Sequence, residues 1–208
     1  MALVIAAIIG FIIGIRRARR AQRTINELGS LNKIPVFAVG ILAAAIAAQL
    51  LNQFTFSWEL FAYGLMCAMC IEQSLIDINT HRLTRSVTMR AAFIGGPLLS
   101  IAAIANNQPG KIGIMVLSFM ATLLTFVMLS LASRRGIGAG DVRLAAVLAM
   151  FLGYLGATYV FQGLALGFIL GGLVALLLLI SRKANRNTRI AFGPYICIGT
   201  MAVVLFGV

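Results

Sequence analysis

Two aspartates are the residues of this sequence best suited to chemistry, because they are rare and each borders an apolar run. Five of the 208 residues are acidic, and Asp77 and Asp141 are the aspartates among them. Asp77 closes the run that ends in "CIEQSLID", and Asp141 follows three spaced glycines in "GIGAGDVRLAAVLAMFLG". A carboxylate is costly in apolar surroundings, so its presence there indicates a functional role.

Two carboxylates held at one depth favour proton sharing, because like charges a few ångströms apart do not both ionise easily. Such a pair offers one base, which activates water, and one acid, which donates to a peptide carbonyl. The titration belongs to the pair and not to either residue. Asp77 and Asp141 therefore predict aspartic protease chemistry, which requires neither a metal nor an organic cofactor.

The glycines before Asp141 predict a close approach of another chain segment. Gly136, Gly138 and Gly140 place no Cβ at alternate positions, so a substrate backbone or a neighbouring helix can come near. Asp141 lies where an N-cap residue precedes the helix "VRLAAVLAMFLG".

A purely structural interpretation of the aspartates stays open beside the catalytic one. In that interpretation Asp141 is only a helix cap. Asp77 is then a carboxylate neutralised by one of three basic residues, Arg82, Arg85 or Arg143.

The elements that hold these aspartates are predicted to be membrane helices. The hydrophobic fraction is 61% and the mean hydropathy is +1.02, well above the roughly 45–50% apolar content of soluble domains. Seventeen basic residues give a net charge of +12, and they fall in short clusters between apolar runs, as in cytoplasmic loops. We therefore predict an all-α, polytopic membrane helix bundle with membrane lipids, and no nucleic acid, as partners.

Apolar runs of spanning length predict about eight transmembrane helices in a single domain over residues 1–208. The candidates are 2–15, 34–51, 58–76, 89–105, 112–132, 143–159, 160–180 and 191–207. The break between the sixth and seventh rests on "GYLGATY", which suits a tight turn at the membrane surface. The first run precedes "RRARR" and no small-residue cleavage site, so we expect it to remain as a signal anchor.

The basic residues predict that the amino terminus lies outside. The loops facing the cytoplasm are then 16–33, 77–88, 133–142 and 181–190. With the adjoining helix ends they hold sixteen of the seventeen basic residues, and the outer loops hold only Lys111, which is the bias of the positive-inside rule. Both aspartates then lie near the cytoplasmic boundary, although lysines and arginines alone decided the orientation.

Other polar or reactive residues support weaker expectations. Gln73 precedes Asp77 by four residues and shares its helix face, so we expect it to shape the site. Glu72 is expected to tune the site or to pack against a polar neighbour, and His81 to be solvated. The cysteines, Cys67, Cys70 and Cys197, lie inside apolar runs and are expected to be buried small hydrophobes, with no metal bound.

Three segments resemble the type IV prepilin peptidases, membrane aspartic proteases that trim the leader from pilin-like precursors. "GIGAGDVRLAAVLAMFLG" resembles the Gly-x-Gly-Asp motif and following helix of that family, and "IDINTHRLTRSVT" resembles the segment around its first aspartate. "RIAFGPYICIGT" is similar to its carboxy-terminal Phe-Gly-Pro stretch. The three occur in the family's order, each at a predicted cytoplasmic helix end, and the resemblance covers roughly residues 58–208.

The resemblance implies that Asp77 and Asp141 are the catalytic pair. It assigns site-shaping positions to Gly138, Gly140, Arg143, Gly193 and Pro194. Arg143 stands where a basic residue usually follows the second aspartate. The Gly-Pro pair would open the last helix near the site, either as a plain helix start or with a substrate-facing role. The implied substrate is a prepilin-like precursor with a short basic leader and an apolar helix, cleaved at the cytoplasmic face of the cell's inner membrane.

The sequence departs from the family at two places. Larger members carry a cysteine-bearing cytoplasmic domain between their first two helices and also methylate the new amino terminus, whereas residues 16–33 hold no cysteine. We therefore expect a short form with neither methyl transfer nor a structural zinc. The family commonly has Ile-Pro or Leu-Pro after its first aspartate, and this chain has "RLT" at 82–84, which alters the expected shape of the 78–88 loop.

Three alternatives to a prepilin peptidase remain at this stage. A small transporter or channel would use the aspartates as a proton or cation site, although transporters tend to place that site near the bilayer midplane between repeats. A purely structural membrane subunit would tolerate the loss of either aspartate. A preflagellin or signal-peptide protease of the same motif class would act on a different client.

Overall fold

Helices account for all the regular secondary structure in the described part of the chain. The computed structural model describes residues 1–29, 32–54, 57–132, 137–181 and 191–207. Within these ranges there are eight helices: α1 Ala2–Glu27, α2 Val36–Gln53, α3 Trp58–Thr80, α4 Arg85–Ala105, α5 Gly110–Ala132, α6 Ala139–Leu155, α7 Ala157–Ile180 and α8 Gly193–Phe206. The prediction of an all-α polytopic bundle is confirmed.

Five of these helices, α2, α3, α4, α5 and α7, are long and apolar enough to cross a membrane. Large apolar side chains point outward from them, including Leu117, which is 70% exposed, and Phe161, which is 75% exposed. The other three helices depart from the ~20 apolar residues that a crossing needs: α1 carries arginines from Arg16 onward, α6 has 17 residues and α8 has 14. The protein is a multi-pass membrane protein.

The centre of the bundle is formed by α3 and α6, the helices that carry the two aspartates. Almost every residue of α6 from Val142 to Tyr154 is buried, and Leu144 and Leu148 are fully inaccessible. The second half of α3 is buried to a similar extent. An apolar helix that is buried on all sides must be surrounded by other helices. Both aspartates are therefore attached to helices that the surrounding bundle holds in place.

Polar contacts join α3 to α6 at the end of the bundle opposite the aspartates. The Tyr154 hydroxyl donates to the carboxylate of Glu59, which also accepts from the Asn106 side chain at 3.0 Å. One turn further along α3, the Tyr63 hydroxyl donates to the carbonyl oxygen of Phe151 at 3.0 Å. These bonds fix the register of α3 against α6.

Backbone contact between α7 and α8 holds the last helix in place. A Cβ added at Gly199 would lie 2.4 Å from the backbone nitrogen of Gly167, so no larger residue fits at position 199. Small residues at helix crossings allow this close approach in membrane bundles. The contact fixes α8, whose first turn reaches the site described below.

The prediction of a loop over residues 16–33 is wrong for most of its length. α1 continues through the arginines to Glu27, because Arg, Ala and Gln favour helix and Gly29 is the first breaker. Ala18, Ala21 and Ile25 are fully buried and give this half of α1 an apolar stripe that packs on the bundle.

Several predicted boundaries also shift by a few residues. The turn between the sixth and seventh helices lies at Gly156, whose φ of +144° favours glycine, and not at 159–160. α3 extends past residue 76 to Thr80, and α4 begins at Arg85 and not at 89, which shortens the predicted 77–88 loop to residues 81–84. The predicted boundaries follow the ends of apolar runs. A helix can continue past such an end, because polar residues also form its backbone hydrogen bonds.

Parts of three predicted cytoplasmic loops lie outside the described residues. These are positions 30–31, 133–136 and 182–190, which include Gly136 and six of the basic residues that decided the predicted orientation. The orientation of the amino terminus stays a prediction.

Candidate active site

Asp77 lies in the last turn of α3 and faces the start of α8. Its side chain is buried, with 4% exposure, and its Oδ2 accepts a hydrogen bond of 3.0 Å from the backbone N–H of Gly193. Gly193 is the first residue of α8, so this carboxylate meets the positive end of a helix dipole and one of its free N–H groups. The bond fixes the direction in which the carboxylate points.

The start of α8 approaches Asp77 so closely that a side chain at position 193 would displace the carboxylate. A Cβ built on Gly193 would lie 2.8 Å from Oδ2 of Asp77, closer than real Cβ atoms come. Pro194 follows within the first turn, where its missing N–H leaves no helical bond unmade. The structure therefore brings the predicted Gly-Pro helix start against the first aspartate.

Asp141 is the third residue of α6 and not its N-cap, so the capping prediction is wrong. Gly138 is the N-cap, because α6 begins at Ala139, four residues earlier than predicted. The carboxylate of Asp141 accepts a hydrogen bond from the backbone N–H of Gly138, the reach from N3 back to N-cap that occurs in a capping box. Each aspartate is thus held by a backbone N–H at the start of a helix.

The charge of Asp77 acts on Asp141. The pKa of Asp141 is raised to about 6, mainly by burial and secondarily by the negative charge of Asp77. The hydrogen bond from the Gly138 N–H lowers this pKa and so partly offsets the rise. Asp141 lies in the first turn of α6, outside the five helices long enough to span a membrane. Two carboxylates that interact in this way retain a proton at a higher pH than an isolated aspartate does.

Leu83, which the sequence interpretation did not single out, joins the two halves of the site. A Cβ on Gly140 would lie 2.9 Å from the Cβ of Leu83, and one on Gly193 would lie 3.1 Å from its Cδ2. Leu83 therefore packs between the start of α6 and the start of α8. The available signal was a single apolar residue within the short polar stretch "HRLT".

Gln73 acts on the 81–84 loop and makes no hydrogen bond to either aspartate. Its side chain is fully buried, and its amide nitrogen donates to the carbonyl oxygen of Thr84 at 2.9 Å and to the hydroxyl of Thr88 at 2.6 Å. The N–H of Thr84 donates back to Gln73 Oε1 at 3.0 Å. Gln73 thereby holds the loop that presents Leu83.

Replacing Gln73 with leucine is expected to lower the free energy of unfolding by about 1–3 kcal/mol, because the N–H and carbonyl of Thr84 lose their buried partners. SDS titration of the purified protein in detergent measures this change. Gln108→Leu is the matched control, since Gln108 is exposed. An unchanged SDS midpoint for Gln73→Leu would show that water replaces the lost bonds.

The described arginines near the site make no ion pair with either aspartate. Arg143 is half-buried, Arg82 and Arg85 are exposed, and none of the three forms an ion pair within the described ranges. The ion pair that the described residues do form joins Arg17 of α1 to the buried Glu72, with 2.6 Å between Nη1 and Oε2. The alternative in which Asp77 is neutralised by a nearby arginine thus has no contact to support it in this part of the chain.

His81 and the cysteines lie as their sequence context predicts. His81 is exposed and ends α3 in a left-handed conformation with φ of 50°. Cys67, Cys70 and Cys197 are buried free thiols. Across the described ranges, no three His, Cys, Asp or Glu side chains are grouped so that they would hold a metal ion.

The sequence matches a protein family and several curated proteins. The Type IV leader peptidase family matches residues 60–180, a range that contains both aspartates, Gly138 and Gly140. The Stutzerimonas stutzeri protein named "Prepilin leader peptidase/N-methyltransferase" is 26% identical over 171 residues, which cover 82% of this chain and 56% of that protein. A Pseudomonas aeruginosa protein of the same name is 26% identical over 177 residues, covering 81% of this chain and 57% of that protein.

The chain spans a little more than half the length of these curated relatives. No solved structure matches it. The family match nevertheless covers more than half of the chain and includes the helices that carry both carboxylates. By this match, the chain belongs to the type IV leader peptidase family.

Proposed function

We propose that this protein is an aspartic endopeptidase that removes the short leader from prepilin-like precursors. The observation that carries the proposal is the pair of carboxylates at one end of the central helices. Asp77 and Asp141 interact electrostatically, and each accepts a backbone N–H at the start of a helix. Two carboxylates with fixed directions, one of them with a pKa raised to about 6, suit proton transfer to and from a substrate.

In the proposed reaction the ionised carboxylate removes a proton from water while the oxygen of that water attacks the scissile carbonyl carbon. The protonated carboxyl donates its proton to the carbonyl oxygen, which gives a neutral tetrahedral intermediate. The C–N bond then breaks as the nitrogen takes a proton from the carboxyl that received one from water. One hydroxyl of the intermediate returns its proton to the other carboxylate, which restores the starting pair. The products are the leader's new carboxyl group and the precursor's new amino group, with one water consumed.

The substrate helix is proposed to lie in the bilayer beside the bundle, with its leader junction at the aspartates. A peptide bond inside a helix is shielded by its backbone bonds, so the junction must unwind before water attacks. A glycine at the cleavage point lowers the cost of unwinding. Asp77 lies three residues before the end of α3 and Asp141 is the third residue of α6, positions that suit cleavage at a membrane surface.

The proposed location is the cytoplasmic face of the inner membrane, with residues 1–208 as one membrane domain and the amino terminus outside. The positive-inside bias supports this orientation. A proton or cation pathway is less well supported, because such sites tend to lie at the bilayer midplane and these aspartates lie at helix ends.

The protein is proposed to cleave the precursor without methylating the new amino terminus. The relatives carry both activities in their printed names, but the segment between the apolar part of α1 and α2 holds no cysteine and is largely the continuation of α1. The test is co-expression with a prepilin-like precursor, followed by a gel shift and the mass of the new amino terminus. The proposal expects a shortened, unmethylated product, and an intact precursor would contradict it.

The rate of cleavage is expected to fall as the pH rises above about 6. The pKa of Asp141 is raised to about 6, so a higher pH removes the proton that the pair needs for donation to the carbonyl. The decline approaches about tenfold per pH unit when that proton is the one titrated. Initial rates between pH 5 and 9 in lipid vesicles measure it, and a rate that rises steadily over this range would contradict the shared-proton mechanism.

A further inference from the structure

A large apolar groove runs between α1, α2 and α3. Its volume is about 700 Å³, and it is lined almost entirely by apolar side chains such as Ile9, Ala47 and Phe61. On α1 its lining extends from Ala2 to Arg20, a length of about 27 Å at the rise of an α-helix. That length matches the ~30 Å hydrocarbon thickness of a bilayer.

One end of the groove is strongly basic. Arg16, Arg17 and Arg20 line it there, and a smaller adjoining cavity of about 170 Å³ shares Arg17 and Arg20 and adds Arg90. Arg17 pairs with Glu72. Within the described ranges the other three arginines form no ion pair, and no acidic side chain lines either cavity, so three positive charges at this end lack an acidic partner.

The groove is separate from the candidate active site. Its lining includes no residue of α6 or α8 and neither aspartate. On α3 it reaches Ile71, one residue before Glu72 and six before Asp77. The basic end of the groove therefore lies toward the end of α3 that carries Asp77. The groove itself is lined by α1, α2 and α3, whereas the candidate active site is formed by α3, α6 and α8.

We propose that this groove binds an anionic phospholipid. The acyl chains lie among the apolar residues of α1 to α3, and the phosphate lies against Arg16, Arg20 and Arg90. A basic pocket beside an apolar surface at the membrane boundary has the chemistry that recognises such a headgroup. The basic leader of a precursor would be repelled by the same arginines, so charge complementarity favours the lipid over a substrate helix.

The test is native mass spectrometry of the purified full-length protein with equal amounts of phosphatidylglycerol and phosphatidylethanolamine. We expect the wild type to retain phosphatidylglycerol selectively. Arg16→Gln with Arg20→Gln should weaken its retention on the order of 10- to 30-fold, from about 1 kcal/mol per arginine. Arg19→Gln is the matched control, because Arg19 is exposed on the same helix and lies outside both cavities.

A second variant tests the apolar part of the groove. Gly64 lines the groove, and a Cβ there meets nothing within 4 Å, so Gly64→Phe fills the space without a clash at the backbone. Gly113→Phe is its control, since Gly113 of α5 is equally free of neighbours and lies outside the groove. We expect Gly64→Phe to lose phosphatidylglycerol and Gly113→Phe to retain it.

Three outcomes would overturn the lipid assignment. The first is equal retention of the two lipids by the wild type. The second is a loss for Arg19→Gln as large as that for the Arg16 and Arg20 variant. The third is a Gly64→Phe protein that retains phosphatidylglycerol as well as Gly113→Phe does. If Gly64→Phe also loses photo-cross-linking to the apolar helix of an added precursor, the groove is a peptide site.

Discussion

Replacement of Asp77 or Asp141 by asparagine is expected to reduce the rate of precursor cleavage by about a hundred- to ten-thousandfold. General acid–base catalysis contributes about 10²–10⁴-fold, and either substitution removes the group that takes or gives the proton. Asparagine has nearly the same shape as aspartate, and its Oδ1 still accepts the backbone N–H that each carboxylate accepts. We therefore expect both variants to fold and insert normally. The measurement is the initial rate of cleavage by purified protein in lipid vesicles.

Glu27→Gln is the control for removal of a carboxylate. Glu27 is the exposed last residue of α1, far from the aspartates in sequence and outside the proposed machinery, so its amide should cleave at the wild-type rate. A folded Asp141→Asn protein that retains a tenth or more of the wild-type rate would contradict the role proposed for Asp141.

Gly193→Ala is expected to lower the cleavage rate by about 10- to 100-fold while the protein stays folded. The added Cβ would lie 2.8 Å from Oδ2 of Asp77 and 3.1 Å from Cδ2 of Leu83, so the carboxylate has to move. Displacement of a catalytic group by about 1 Å costs on the order of 10²-fold in rate. Kinetics of the purified variant measure the effect, with the loss expected mainly in kcat.

The matched control for this substitution is Gly113→Ala in α5. A Cβ at that position meets nothing within 4 Å, and alanine favours helix over glycine by about 1 kcal/mol. That variant should cleave normally and be slightly more stable. Wild-type cleavage by Gly193→Ala would mean that the bond from Gly193 to Asp77 does not orient the carboxylate during the reaction.

Hydropathy predicted most of the helices, and the rarity of aspartate indicated the candidate site. Each of the eight helices in the described ranges overlaps most of one predicted apolar run, and five of the eight are long and apolar enough to cross a membrane. The rarity of aspartate then marked Asp77 and Asp141, and the Gly-Pro pair at 193 and 194 marked a helix start that does reach Asp77.

Hydropathy did not predict the helix segments that extend past the apolar runs into polar residues or glycine. The second half of α1 contains five arginines, and only its small buried stripe of Ala18, Ala21 and Ile25 shows that it packs on the bundle. The start of α6 was placed at residue 143 because the apolar run begins there, whereas the helix starts at Ala139 through glycine and alanine. This difference changes Asp141 from a cap into a side chain that reaches back to the cap.

Contacts between segments distant in the sequence were also missed. Leu83 and Gly140 are 57 positions apart, and their contact follows from the packing of α6 against the short 81–84 loop. Gln73 shares the helix face of Asp77 by spacing, but its bonds lead to Thr84 and Thr88. Residue spacing shows which side chains share a face of one helix. It does not show which residues of other segments those side chains contact.

The measurement that tests the central claim most directly is the cleavage rate of one purified precursor by four proteins compared at equal folded concentration. They are the wild type, Asp77→Asn, Asp141→Asn and the double variant. Residues that act as one unit are not additive, so a working pair predicts the same residual rate for both single variants and the double. Substantial cleavage by either single variant, or a double variant slower by the product of the two single effects, would contradict the claim that Asp77 and Asp141 form one catalytic pair.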